Sequence, residues 1–293
     1  VRRSRRAQAS ALALVGGLAM LWSASAAAAQ SAEPERGPGV SNSAGAEATP
    51  SGAAAAASGG AAAPALPPSG TRLEYGLSLG PIHAAHATLS VGEAREVGGV
   101  EAFPVTLQIE GGALFLTLDD SLVSWIAAAP LRTLRSDRNL HEGPHKEAYR
   151  LELDGGEGHY SIVPLPGAEY EPASDRPKSG PIPQNAVDDV AVLFLPRTLP
   201  LDPGADYVIP RFFRANSNPV HIHVAERREM RTPAGRFQVV GLDVVIPETG
   251  LFAEKRHARV YVTDDPARTL VQLTADTVLG KLRLYLTGEG GGA

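Results

Sequence analysis

The chain has 293 residues with 27 basic and 32 acidic side chains, a formal net charge of −5. Residues 1–29 hold four arginines and no acid, so the rest of the chain carries 23 basic and 32 acidic residues, a net of −9. That balance excludes an electrostatic footprint for nucleic acid or anionic lipid surfaces, and the lack of any cysteine excludes disulfides, thiol nucleophiles and a lipid-anchored cysteine.

Arg2, Arg3, Arg5 and Arg6 form a basic start, residues 11–22 an apolar run, and Ala24-Ser25-Ala26 or Ala27-Ala28-Ala29 a small-residue cleavage site. This is the pattern of a secretory signal over residues 1–29. The apolar run falls short of the roughly 20 residues that span a bilayer, so cleavage rather than anchoring is expected. Ser4-Arg5-Arg6 touches on a twin-arginine export motif, but Ala7 and Gln8 stand where an apolar residue belongs, which leaves the export route open. Residues 30–70 are built from Ala, Gly, Ser and Pro and bury too little apolar surface to offset ordering entropy, so a disordered linker is expected there.

The folded part is expected over 71–287 as one all-β, mainly antiparallel domain, with 288–293 as a flexible tail. Leu73, Tyr75, Leu77 and Leu79 alternate with polar or small residues before the Gly80-Pro81 turn, and residues 82–91 form the next strand. Phe103, Val105, Leu107 and Ile109 alternate with Pro104, Thr106, Gln108 and Glu110. Residues 113–126, 131–140, 146–153 and 160–163 read as further strands, and the Pro-rich stretch 164–183 as a surface excursion. Val187, Val190, Ala191 and Phe194 fall at i, i+3, i+4 and i+7, which predicts one short helix capped near Asn185 and ended by Pro196.

The clearest strands come last. Val220, Ile222 and Val224 alternate with His221 and His223; Thr232-Pro233-Ala234-Gly235 is a hairpin turn, with Gly235 free to take positive φ. Val240, Leu242, Val244 and Ile246 share one face of the return strand. Ala258, Val260 and Val262 alternate with His257, Arg259 and Tyr261 before the Asp264-Asp265-Pro266 turn, and Leu282, Leu284 and Leu286 with Lys281, Arg283 and Tyr285. Each strand keeps one apolar face. The architecture expected is a curved open sheet, or a partly closed β-barrel, with one helix against it.

Three segments together carry a family resemblance. They are Asp188-Asp189 through Phe194-Leu195-Pro196-Arg197 to Leu201 and Gly204; Glu229 with Thr232-Pro233-Ala234-Gly235-Arg236-Phe237; and Val260-Tyr261-Val262-Thr263-Asp264-Asp265 with Leu279-Gly280-Lys281. Their order and spacing, with Leu73-Glu74-Tyr75 and Gly80 at the start, resemble the bacterial envelope family known as domain of unknown function 3108. The resemblance implies an exported, largely antiparallel β protein of the periplasm, with no agreed activity and no catalytic residues to carry over.

Candidate chemistry is sparse. His221 and His223 lie two apart on one strand face, and with His257 they make a metal-ligand set to test; His83 and His86 are three apart. Of the doublets Asp119-Asp120, Asp188-Asp189 and Asp264-Asp265, neighbours on a strand point to opposite faces, so none is itself an acid/base pair. There is no Gly-x-Ser-x-Gly elbow and no phosphate loop, and nothing calls for a cofactor. His257, Arg259, Tyr261, Lys281, Arg283 and Tyr285 would form a basic-aromatic ligand patch if their strands were neighbours. The expectation is therefore non-catalytic binding of a hydrophobic or amphipathic envelope molecule. The alternative is an assembly or interaction protein working through a sheet edge or the polar face. A His-based metalloprotein comes third.

Overall fold

The computed structural model describes residues 64–113, 116–174, 178–213, 218–246, 256–277 and 280–291. The expected signal segment and most of the linker lie outside the described residues. Nine strands come first: β1 (Thr71–Leu79), β2 (Ile82–Val91), β3 (Arg95–Val97), β4 (Val100–Ala113), β5 (Leu116–Ala128), β6 (Leu131–Glu142), β7 (His145–Asp154), β8 (His159–Pro164) and β9 (Ser179–Pro181). A 3₁₀ helix (Ala191–Thr198) precedes β10 (Asp206–Ile209), β11 (Val220–Thr232), β12 (Gly235–Ile246), β13 (Arg256–Thr263), β14 (Leu270–Thr277) and β15 (Gly280–Gly291).

These strands make one antiparallel sheet in the order β10-β11-β12-β13-β14-β15-β1-β2-β4-β5-β6-β7-β8-β9, with β3 folded onto β4. The first and last strands therefore pair in its middle, Thr71 opposite Gly291 and Leu79 opposite Leu282. The two edge strands, β9 and β10, are consecutive in the chain. The connection between them, residues 182–205, runs across the buried face and supplies Val187, Val190, Ala191, Phe194, Leu195 and Leu201 to the core.

The alternation seen in the sequence decides which side of each strand packs. Val105, Leu107 and Ile109 of β4 and Leu282, Leu284 and Leu286 of β15 are all buried in one cluster, each such side chain stabilising by about 1.5–3 kcal/mol. The hairpin between β11 and β12 closes as expected, with Thr232 opposite Gly235 and Gly235 at φ +141°. At the second turn Asp265 accepts from the Thr263 hydroxyl (2.7 Å) and the Arg268 N–H (3.1 Å).

Three sequence expectations are corrected. The helix is 3₁₀, begins at Ala191 and contains Pro196, and Asn185, at φ +50°, is not its cap. Val187 instead exchanges backbone hydrogen bonds with Arg211 (2.8 Å) and Phe213 (3.0 Å). The spacing of apolar residues reflects burial of the whole connection, not a helical face. Proline fits inside a short 3₁₀ run because its locked φ is compatible with it.

The tail expected from Gly288 is also strand, Gly288 to Gly291 pairing with Glu74 to Thr71. The linker ends earlier than residue 70. Leu66 is only 4% exposed within the core, and Arg197 donates to the carbonyls of Pro64 (3.0 Å) and Leu66 (3.4 Å).

Candidate functional site

The crossing connection is fastened to the sheet by a charge cluster. β5 and β6 run side by side, with Ser124 opposite Ser136, and turn Ser124, Thr133, Ser136 and Arg138 to the buried face. Asp188 accepts from the N–H groups of Ala191 (2.9 Å) and Val190 (3.2 Å), and from the hydroxyls of Thr133 (3.1 Å) and Ser124. It thereby caps the 3₁₀ helix, the role the sequence reading gave to Asn185. Arg138 sits 2.6 Å from Asp189 and 3.7 Å from Asp188, with Tyr149 and Phe213 rings at 5.9 and 5.6 Å. Burial opposes its charge, but the Tyr149 side chain and the two carboxylates outweigh that and keep it protonated. Arg138 is 1% exposed and Asp188 0%, so the cluster reaches no solute. It is a fastening.

A second buried acidic group lies further along the same two strands. The Asp119-Asp120 doublet splits as strand geometry demands, Asp119 exposed and Asp120 buried. Burial pushes the Asp120 carboxyl up to about 6, against the opposing effects of the His141 N–H (2.9 Å) and a hydrogen bond with Glu142, itself buried. Two buried carboxyl groups in contact favour sharing one proton. Glu147 accepts the Ala173 N–H at 3.0 Å and stands 3.5 Å from His145.

The residues singled out from the sequence lie on the outer face. β13 and β15 are not neighbours: β14 runs between them, giving the rows Arg259–Thr274–Arg283 and Tyr261–Gln272–Tyr285. Arg259 is engaged by Glu226 (3.3 Å) and Asp243, and Lys281 by Asp276 (3.4 Å). Tyr261 is 6% exposed. It covers Gly241, donates to Glu226 (3.2 Å), lies under Arg228 and joins Met230, Val239 and Val271 in a small outer cluster. The expected basic-aromatic patch is thus two sets separated by β14, with Arg259 and Lys281 each paired to acids. His221 and His257 flank Val245 in one row, while His223 turns to Asp206 at 2.8 Å. The three do not converge: among the described residues no group of three or more His, Asp or Glu is placed to hold a metal ion.

Sequence reasoning missed a cleft of about 210 Å³ between the 3₁₀ helix, β1 and β14. Leu73, Leu89, Leu193, Phe194 and Leu270 make its apolar lining, Pro67 and Pro68 stand on its 64–70 side, and Arg197, Arg268 and Glu289 supply charge. Within it, Tyr75 donates its hydroxyl to the Leu270 carbonyl at 3.1 Å, and burial pushes that phenol up. Burial lowers Arg197, which already holds residues 64–66. The Phe194-Leu195-Pro196-Arg197 segment was a sequence signal for this place, but its partner, residues 64–70, reads as linker by composition. A shallower open groove of about 450 Å³ follows residues 69–73, Glu289 and Gly290.

One antiparallel sheet wrapped on its own crossing connection is a β-barrel-like architecture. The chain belongs to the family described as protein of unknown function (DUF3108), which matches residues 72–287, as the motifs implied. No curated protein matches the sequence. Among solved structures, the chain is similar to a β-barrel-like protein of domain of unknown function DUF1849 from Brucella abortus. Identity there is 9% and the TM-score 0.47, with 75% of this chain and 96% of that one covered. It is also similar to a candidate lipoprotein from Parabacteroides distasonis (9% identity, TM-score 0.33, 78% and 99% covered). A candidate exported protein with a YmcC-like fold from Bacteroides fragilis gives 12% identity, TM-score 0.29, and 76% and 96% coverage.

Proposed function

We propose that this is an exported cell-envelope protein that acts without catalysis and binds one end of a small amphipathic envelope molecule in the cleft beneath residues 64–70. The cleft carries the reading: an apolar lining of leucines and Phe194 with Arg197, Arg268 and Glu289 supplying charge. At about 210 Å³ it is below the roughly 300–1,000 Å³ of sites that enclose a drug-sized ligand, so it takes part of a molecule and leaves the rest in solvent. The signal-like first 29 residues support export. The buried ionisable groups of Arg138, Asp188 and Asp189 are closed to substrate, which supports a non-catalytic role.

Native mass spectrometry of protein purified gently from the periplasm of its host tests the proposal. A stoichiometric extra mass in the lipid range is expected in the wild type, lost on organic extraction and lost in Leu193→Trp, which fills the cleft. A bare polypeptide mass overturns the reading. One observation favours the assembly alternative in that case. The buried face is filled by the protein's own connection, whereas β11 runs on to Thr232 beyond the four residues that β10 pairs. Among the described residues no strand pairs with β11 on that side beyond His223, and the stretch carries Arg227, Arg228, Glu229 and Arg231, charges that discourage self-pairing and leave room for a chosen partner. Crosslinking from Arg228→Cys, the chain's sole thiol, would capture it.

A further inference from the structure

We propose that His83 and His86 form a binding site for one divalent late transition-metal ion, such as zinc(II), nickel(II) or copper(II), on the exposed face of the sheet. Residues three apart on a regular strand project from opposite faces. Here the β1–β2 ladder slips: Leu77 pairs with Ala85 and Ser78 with His83, so Ala84 is an extra residue. The bulge brings His83 onto the face of His86. Ala84 and Ala85 are both buried, at 4% and 2% exposure, while the two histidines flanking them are exposed. Gly111 on β4 makes room for it. At φ +147°, a Cβ there would lie 2.6 Å from Ala85 Cα and 2.7 Å from the Ala84 carbonyl oxygen.

The outcome is a histidine pair with Nε2 atoms 3.0 Å apart, ring centroids 4.5 Å apart and ring planes at 59°. Two imidazole nitrogens bound at about 2.0–2.1 Å to one ion, at angles of about 90–109°, stand roughly 2.8–3.4 Å apart. The pair already holds the separation of adjacent ligands. In the metal-free protein the same contact is an Nε2–H···Nε2 hydrogen bond; the ion takes the place of that proton, which passes through solvent to the Nδ1 of the same ring, leaving both imidazoles neutral. The third ring atom is provided for as well. Tyr285 lies over Gly76, the residue opposite His86, and its hydroxyl is 3.4 Å from His83 Nδ1. When this hydroxyl accepts an Nδ1–H, the His83 Nε2 lone pair is left facing the ion, the usual arrangement behind a metal-bound histidine. Glu110 stands opposite His86 in the next strand and adds negative charge beside the site. With two protein ligands the remaining positions belong to water, so imidazole-preferring ions are selected over magnesium or calcium.

Isothermal titration of the untagged full chain with zinc(II) is the test. One equivalent should bind with micromolar affinity. His83→Ala and His86→Ala should each weaken binding at least about tenfold, and Tyr285→Phe should weaken it measurably, since outer partners of metal-bound histidines matter. His223→Ala removes an exposed histidine–carboxylate contact elsewhere on the sheet and should change nothing. Both ligands are exposed, so the melting temperatures of the variants should match the wild type. Absence of saturable uptake by the wild type overturns the proposal, as does uptake undiminished in the His83→Ala/His86→Ala double variant.

Discussion

Arg138 and Arg259 each bridge two carboxylates, one on the buried face of the sheet and the other on its outer face. Arg138 meets Asp188 and Asp189 at 1% side-chain exposure; Arg259 meets Glu226 and Asp243 at 35%. The chemical groups are the same, and water makes the difference. In the interior, removing the cation strands two carboxylates that cannot be hydrated, so the loss is large although the intact cluster adds little net stability. On the outer face water and salt take over the orphaned acids, and the bridge contributes little. The interior cluster joins a segment to the sheet, whereas the outer one joins strands already held by ladders.

That contrast sets an order of effects. Arg138→Ala should cost about 3–5 kcal/mol in urea unfolding; a loss under about 1 kcal/mol would mean that water reaches the cluster. Asp120 is the case of a buried carboxyl whose hydrogen-bond partners are a backbone N–H and a second carboxyl rather than an arginine. Its folded-state value of about 6 lies above the ordinary 3.8, so its stabilisation is complete below about pH 4 and drains away as pH rises through 6. Asp120→Asn should therefore match the wild type near pH 4 and exceed it at pH 8 by up to about 3 kcal/mol. Urea midpoints that show no such divergence with pH would remove this account. Asp188→Ala, losing the cap and the Thr133 and Ser124 bonds, should cost about 2 kcal/mol or more. Smallest of all, Arg259→Ala should cost under about 1 kcal/mol, and its double-mutant cycle with Asp243→Ala should shrink further in high salt. A coupling between Arg138 and Asp189 that shrank in salt to the same degree would erase the distinction.

The strands were legible because one face of each is buried, so β4 and β15 announce themselves in the alternation of Val105, Leu107 and Ile109 and of Leu282, Leu284 and Leu286. What resisted reading depends on parity or on distance. The bulge at Ala84 reverses the side on which His83 projects, and nothing in a run of small residues marks where a ladder will slip. Gly288–Gly291 looks like a frayed end by composition, yet β1 needs a partner along its whole length and finds it there. Asp188 and Arg138 are fifty residues apart, and only the topology, which sends the edge-to-edge connection over β5 and β6, brings them together. The 64–70 segment was hidden by its Ala and Pro content, although its single leucine is the residue that anchors it.

The pairing of β1 with β15 has a consequence for how such a chain is made. β1 and β2 emerge early, but the seam that unites the two halves of the sheet waits for β15. Until then each half is a meander with a long raw edge and an unfinished core. Contacts of such wide sequence separation form slowly, because the intervening loop must be closed first. A chain built this way stays open until its closing strand has emerged from the ribosome, and the same delay leaves it needing protection from neighbours while the seam is open.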